Sequence, residues 1–331
     1  MRLKDIGEFG FIERIKSGCL IRNSNIIKGI GDDCCVFRNS GDLATLLTTD
    51  MLVENVHFLR TEIPPYKLGR KSLAVNISDV AAMGGIPKEA VVSIAIPETM
   101  ELLYLDSIYE GLKSMARKFE VNLLGGDTTS SPQHLVINVA LVGESREDEI
   151  LYRSGAKPGD VVFLTGPVGS SAAGLDIMLA KRSFEGREYL LDAHFDPHPH
   201  VAAGRIIGGS KVASALIDVS DGVAADLAHI CAESRLGAII EEEKMPTTEL
   251  FRAYCQRFRL DTRRLSLHVG EDYVLLGTVP AQWTDKLEVA LESDGCDFYP
   301  IGQMVSELGL QLKCLDGSIQ KISSTGWDHF K

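Results

Sequence analysis

Apolar and polar positions along the chain switch repeatedly between a period of two and a period of 3.6, which predicts strands alternating with helices. In the first half, strands are predicted at 43–48, 90–96, 121–124 and 135–142, with helices at 68–83 and 101–119. Leu102, Leu105, Ile108, Leu112, Met115, Ala116 and Phe119 recur at three- and four-residue spacing and make one apolar face of the second helix. Turn formers then gather at 152–160, between two apolar strands, and place a domain junction near residue 150. The second half restarts the pattern. It has strands at 161–164, 215–219, 237–240 and 273–279 and helices at 169–179 and 222–234. Such alternation predicts an α/β (α+β) chain of two domains, 1–150 and 151–331, and a length of 331 residues agrees with two cores rather than one.

Composition adds little until the charges are counted. The chain carries 46 acids against 34 bases, a formal charge of −12, with no Lys/Arg run to attract a nucleic-acid backbone. No apolar stretch is long enough to cross a membrane, the first fifteen residues lack the core of a signal peptide, and the seven cysteines contain no C-x-x-C pair. A reducing cytoplasmic setting is therefore expected, and the adjacent Cys34 and Cys35 are read as thiols rather than a disulfide.

The aspartates are placed informatively. Short acidic segments with small neighbours follow the apolar runs: Gly31-Asp32-Asp33, Thr48-Thr49-Asp50, Gly125-Gly126-Asp127-Thr128, Asp218-Val219-Ser220-Asp221-Gly222 and Gly270-Glu271-Asp272, with Asn76-Ile77-Ser78-Asp79 inside a predicted helix. Each alone is an ordinary turn or cap. Together, at the carboxyl ends of strands in one sheet system, they would converge on a crevice where like charges need a cation. Mg²⁺ suits such oxygen donors, and the glycines leave backbone N–H groups free to approach phosphate, which points to phosphoryl transfer. A P-loop is missing, since Gly69-Arg70-Lys71-Ser72 lacks the upstream glycine; the dinucleotide fingerprint begun at Gly29-Ile30-Gly31 fails at Cys34; no nucleophile elbow occurs. His194, His198 and His200 fall in a loop-like segment without zinc-ligand spacing.

These segments, in this order, resemble the thiamine-monophosphate kinase family, part of the superfamily that includes aminoimidazole ribonucleotide synthetase. Further carriers are His57-Phe58, the run from Leu73 to Gly84, Arg153-Ser154-Gly155-Ala156, Ser171-Ala172-Ala173-Gly174-Leu175 and Gly326-Trp327-Asp328-His329-Phe330. The resemblance implies an aminoimidazole ribonucleotide synthetase-like fold, with an N-terminal mixed-sheet domain for ATP, Mg²⁺ and dimerisation and a C-terminal α/β domain completing the nucleotide and substrate sites. It implies transfer of the ATP γ-phosphoryl group to thiamine monophosphate, with several Mg²⁺ held by Asp33, Asp50, Asp79, Asp127, Asp218 and Asp221 and by oxygens of Thr48 and Thr49. Gly126, Asp127, Arg153 and Ser220 would contact ATP, and His57, Glu271 and Trp327 the thiamine substrate. No single side chain would act as a general acid or base. A homodimer is implied as well. Val269, Val274 and His200 depart from the family pattern. A non-catalytic nucleotide or Mg²⁺ sensor, and aminoimidazole ribonucleotide synthetase itself, are the competing readings.

Overall fold

The computed structural model describes residues 2–22, 24–323 and 326; Trp327 lies outside them. Two sheets divide the chain. The first holds β1 (Ile26–Lys28), β2 (Cys35–Arg38), β3 (Leu43–Val53), β4 (Ile86–Pro97), β5 (Asn122–Ser131) and β6 (Val136–Arg146), in the order β1-β2-β3-β6-β4-β5. All pairs are antiparallel except β4 with β5. The second sheet holds β7 (Val161–Leu164), β8 (Ala215–Asp218), β9 (Gly237–Glu241), β10 (Leu275–Val279), β11 (Tyr299–Val305), β12 (Gly309–Lys313) and β13 (Ile319–Ile322), ordered β13-β12-β9-β11-β7-β10-β8.

Ten α-helices are described: α1 (Gly7–Ile15), α2 (Pro65–Ala82), α3 (Leu102–Phe119), α4 (Ser170–Ala180), α5 (Arg187–Phe195), α6 (Val201–Ser210), α7 (Val223–Ser234), α8 (Glu249–Phe258), α9 (Thr262–Leu267) and α10 (Thr284–Glu292). No described helix is long and apolar enough to cross a membrane.

Helix α2 positions the site. Pro65 at its start supplies a helical φ where no N–H partner is needed. From Leu68 to Ala82, all but Arg70 and Asp79 are buried, so this is an interior helix rather than an amphipathic one. One flank packs on β3 and β6 of the first sheet; Ala81 and Ala82 enter a core with Phe163, Leu216 and Leu275 of the second. Its crossing with α3 needs glycine on both sides. A Cβ on Gly69 would stand 1.9 Å from the Ile108 carbonyl oxygen, and one on Gly111 1.9 Å from that of Tyr66. Along α3 the anticipated face holds for Ile108, Leu112, Met115 and Ala116, whereas Leu102 in the first turn is 75% exposed.

Three local expectations change. Thr48-Thr49-Asp50 does not end a strand but lies inside β3, which runs on to Val53. The Gly125-Gly126-Asp127-Thr128 segment is not a turn after a short strand but the middle of β5, which runs on to Ser131. His194 is not in a loop: it is buried in the last turn of α5.

Candidate active site

Three carboxylates meet where β8 ends, α2 ends and the β1–β2 connection passes. Asp33, Asp79 and Asp218 each bring an oxygen within 4.8 Å of the others. Each is oriented by a different neighbour. Ser78 Oγ donates to Asp218 Oδ2 at 2.5 Å, and Thr48 Oγ1 donates to Asp79 Oδ2 at 2.5 Å. Arg153 binds Asp33 Oδ1 through Nη2 at 2.5 Å and Nε at 3.2 Å. The adjacent Asp32 is engaged elsewhere, accepting the Arg153 backbone N–H at 3.1 Å with Lys28 Nζ 2.9 Å away. Asp33 Oδ2 is buried with no hydrogen-bond partner, and Asp32 Oδ2 has none besides its ion pair with Lys28.

The electrostatics are those of crowded, desolvated acids. Burial pushes Asp33 up to about 7, against the pull of Arg153 and with Asp218 adding repulsion. Burial likewise raises Asp50 and Asp218 to about 6 and Asp79 well above the usual carboxylate range, with their mutual repulsion contributing. Asp221 lies close enough to raise both Asp50 and Asp218, and its N–H is taken by the buried Asp226 at 3.2 Å. An orphaned buried oxygen amid hard carboxylate donors fits a divalent cation of the Mg²⁺ kind.

Sheet register separates the expected metal ligands. Asp50 shares the helix-facing side of β3 with Thr48, which reaches Asp79 from that side. Thr49 points the other way, accepting from Asn138 Nδ2 at 2.9 Å. Asp127 pairs with Ser93, Ser93 with Asn138, and Asn138 with Met51, so Asp127 lies on that second face, three strands from β3. Asp33, Thr48, Asp50, Asp79, Asp218 and Asp221 are thus gathered around one centre, while the Thr49 side chain and Asp127 lie on the far side of the sheet.

Asp127 borders a cavity of about 780 Å³ between α3 and β5, shared with Gly125, Gly126, Tyr109, Lys113 and Arg117. The two glycines differ there. Gly126 (φ +148°) is pressed on β4, since a Cβ would lie 1.7 Å from the Val92 carbonyl oxygen, whereas Gly125 (φ +146°) has nothing within 4 Å of that position.

Among the expected substrate residues, Glu271 is held tightly. Its Oε2 receives Lys71 Nζ at 2.8 Å, its Oε1 the Tyr273 hydroxyl at 3.2 Å, and its N–H donates to Ser171 Oγ at 3.2 Å. Burial pushes the Glu271 carboxyl up, yet Lys71 and its hydrogen bonds bring it below the usual glutamate value. Its neighbour Asp272 turns away to accept the Gly169 and Ser171 N–H groups at the start of α4, at 2.9 and 3.2 Å. His57 Nδ1 accepts the Val53 N–H at 2.9 Å. Ser220 sits partly buried between Asp218 and Asp221. Gly326 places the chain against the same turn, a Cβ there standing 2.5 Å from the Asp221 carbonyl oxygen, one residue before Trp327.

His194, His198 and His200 do not converge on a metal. His194 Nδ1 lies 3.2 Å from Ser171 Oγ, His198 Nδ1 2.9 Å from Lys118 Nζ, and His200 Nδ1 2.8 Å from Thr165 Oγ1. Sequence reasoning gave no role to Lys71, Ser78, Asp226 or Tyr109. Lys71 carried a signal: a lysine in the middle of an otherwise buried helix.

Comparison with known proteins matches residues 31–145 to the AIR synthase related protein, N-terminal domain, and residues 157–314 to the C-terminal domain of the same name. Thiamine-monophosphate kinase of Aquifex aeolicus is 36% identical over 333 residues, covering 100% of each chain, and that of Escherichia coli K12 is 35% identical over 98% of each. A solved structure described as AaThiL complexed with AMPPCP and TMP superposes with a TM-score of 0.87, at 35% identity and 99% coverage of both chains.

Proposed function

Since the chain belongs to the thiamine-monophosphate kinase family, we propose that its acidic centre catalyses Mg²⁺-assisted, in-line transfer of the ATP γ-phosphoryl group to thiamine monophosphate, giving thiamine diphosphate and ADP. The observation that carries this reading is the convergence of Asp33, Asp79 and Asp218 within 4.8 Å, beside the unpartnered Asp33 Oδ2.

A phosphate monoester has a second pKa near ~6, so the acceptor is largely ionised at neutral pH and needs no strong base. The obstacle is bringing one anion against another, which positioning and charge compensation overcome. Asp33, Asp50, Asp79, Asp218 and Asp221, with the Thr48 hydroxyl close by, are the residues that would hold Mg²⁺. Bound there, the cations would supply positive charge to the phosphates. Thr48 and Ser78 hold two of the carboxylates in fixed rotamers, and Arg153 places its guanidinium at the same edge. ATP would run from the cavity beside Tyr109, past Gly126 and Asp127, towards Arg153 and Ser220. His57, Glu271 and the aromatic face of Trp327 would receive the thiamine end, a cationic ring against an acid and an indole.

The face of the first sheet that carries Asp127 also exposes apolar side chains, Met51 at 53% and Val91 at 42%, with Leu124 of the edge strand at 66%. A second copy of the chain covering this face would bury them and carry its own Asp127 towards the Thr49 side of β3, which supports a homodimer. In this arrangement residues 1–150 provide the dimer and most of the Mg²⁺ and ATP contacts, and residues 151–331 complete the site.

The test is phosphorus NMR of the purified protein with ATP, Mg²⁺ and thiamine monophosphate, alongside Asp218→Asn. A diphosphate ester and ADP from the wild type, reduced at least about a hundredfold in the variant, is the expected result. ATP binding with no product would instead favour the sensor reading.

A further inference from the structure

Helix α2 grips the second half of the chain at two points on one face. Residues 71 and 78 are seven apart, two helical turns, and so project to the same side about 10 Å from each other along the axis. Ser78 takes Asp218 of the acidic centre at 2.5 Å, and Lys71 takes Glu271 at 2.8 Å. Lys71 is 1% exposed, and its remaining contact is the His194 carbonyl oxygen at 3.1 Å, so Glu271 is its only anionic partner among the described residues.

A buried ammonium is tolerated only with a close anion, and of its two contacts here a backbone carbonyl alone would not compensate it. The pair is therefore obligatory for Lys71, and it fixes Glu271 in turn. Tyr273 completes the clamp from the other carboxylate oxygen, in a backbone conformation rare for a non-glycine residue (φ +51°). Local strain and a buried cation together hold one carboxylate at a set distance from the Asp218 end of the same rigid helix.

We propose that Lys71 is a positioning residue for the acceptor substrate: it fixes Glu271, and α2 thereby sets the span between the phosphoryl-transfer centre and the group that receives the cationic, aminopyrimidine-bearing end of thiamine monophosphate. This rests on the reading of Glu271 as a thiamine contact. Lys71 itself touches neither substrate nor nucleotide. Its removal acts on acceptor binding and leaves the nucleotide side, which is organised around Ser78 and Arg153, intact.

Steady-state kinetics on the whole chain test this with Lys71→Met, Lys71→Arg, Glu271→Gln and the double variant Lys71→Met/Glu271→Gln. Lys71→Met is expected to raise KM for thiamine monophosphate about tenfold with KM for ATP within about twofold. Lys71→Arg, which keeps the charge, should recover part of that loss. The double variant has no lone buried charge and folds even if Lys71→Met does not. Its KM for thiamine monophosphate should equal that of Glu271→Gln alone, because the two residues act as one unit. If Glu271→Gln raises that KM and the second substitution multiplies it further, or Lys71→Met shifts both KM values alike, Lys71 has a general structural role and the proposal fails while the thiamine contact stands. If Glu271→Gln leaves KM for thiamine monophosphate unchanged, the contact reading itself fails, and the proposal with it.

Discussion

Ser78 and Asp218 are 140 residues apart in the chain and share a hydrogen bond of 2.5 Å, buried on both sides, between the helix that threads the molecule and the last residue of β8. The serine orients a carboxylate that also feels the repulsion of Asp50 and Asp221 and the attraction of Arg153. Residues that orient a metal ligand tune its affinity as strongly as some ligands do. Ser78→Ala is expected to raise the Mg²⁺ concentration needed for half-maximal turnover about tenfold, with KM for thiamine monophosphate little changed. A Mg²⁺ titration of initial rates checks it, and an unchanged requirement would remove Asp218 from the metal site.

Asp33, Asp50 and Asp218 have folded-state pKa values of about 7, 6 and 6, above those of an unfolded chain. The folded protein therefore binds protons more tightly than the unfolded one. The stability these groups contribute is present at low pH and is lost as pH rises through about 6 to 7. In chelator, the melting temperature of Asp33→Asn relative to wild type should consequently rise between pH 5 and pH 8. Saturating Mg²⁺ should cancel the trend by compensating the charges. Differential scanning calorimetry at the two pH values would show the opposite slope if the Arg153 ion pair outweighed the desolvation of Asp33.

Gly125 and Gly126 both have backbone angles that favour glycine, but only Gly126 also lies against a carbonyl. Gly126→Ala is thus expected to destabilise the fold by about 3 kcal/mol or more, and Gly125→Ala by about 1 kcal/mol. Urea titrations separate the two, and equal losses would mean that backbone angle alone governs this strand.

The apolar face around Met51 predicts association. Sedimentation equilibrium should give a dimer for the wild type and a monomer for Met51→Glu, whose carboxylate would be desolvated in the covered face. A variant that stays dimeric would move the interface elsewhere.

The sequence was legible where periodicity had a core to answer to. Helices α2, α3, α4 and α7 and strands β4, β6, β7, β8, β9 and β10 were anticipated within a few residues because their apolar faces pack on one another, whereas β3, expected to end at 48, runs on to Val53. β5 was cut short at 124 because its residues from 124 to 130 are exposed, so no alternation marks a buried side. Helix α6 was hidden by three glycines in ten residues, and β11 by Pro300 and Gly302. Around the site, the acids were recognisable from their glycine and serine neighbours. Their partition between two faces of a sheet was not, because it depends on which residue of β3 sits opposite which of β6. Lys71 stayed unassigned because the carboxylate that gives it meaning is 200 residues away.

The burial of α2 has a further consequence for how the molecule comes apart. Its Ala81 and Ala82 belong to a core that also contains Phe163, Leu216 and Leu275, while its Leu73 and Ile77 belong to the core beneath the first sheet. Neither sheet can lose this helix and keep its own interior covered. A fragment ending at residue 150 would expose one flank of it to water, and the remainder would lack the helix that covers β8. Heat or denaturant should accordingly melt the two sheets in a single cooperative transition, making this enzyme one unfolding unit built from two architectures.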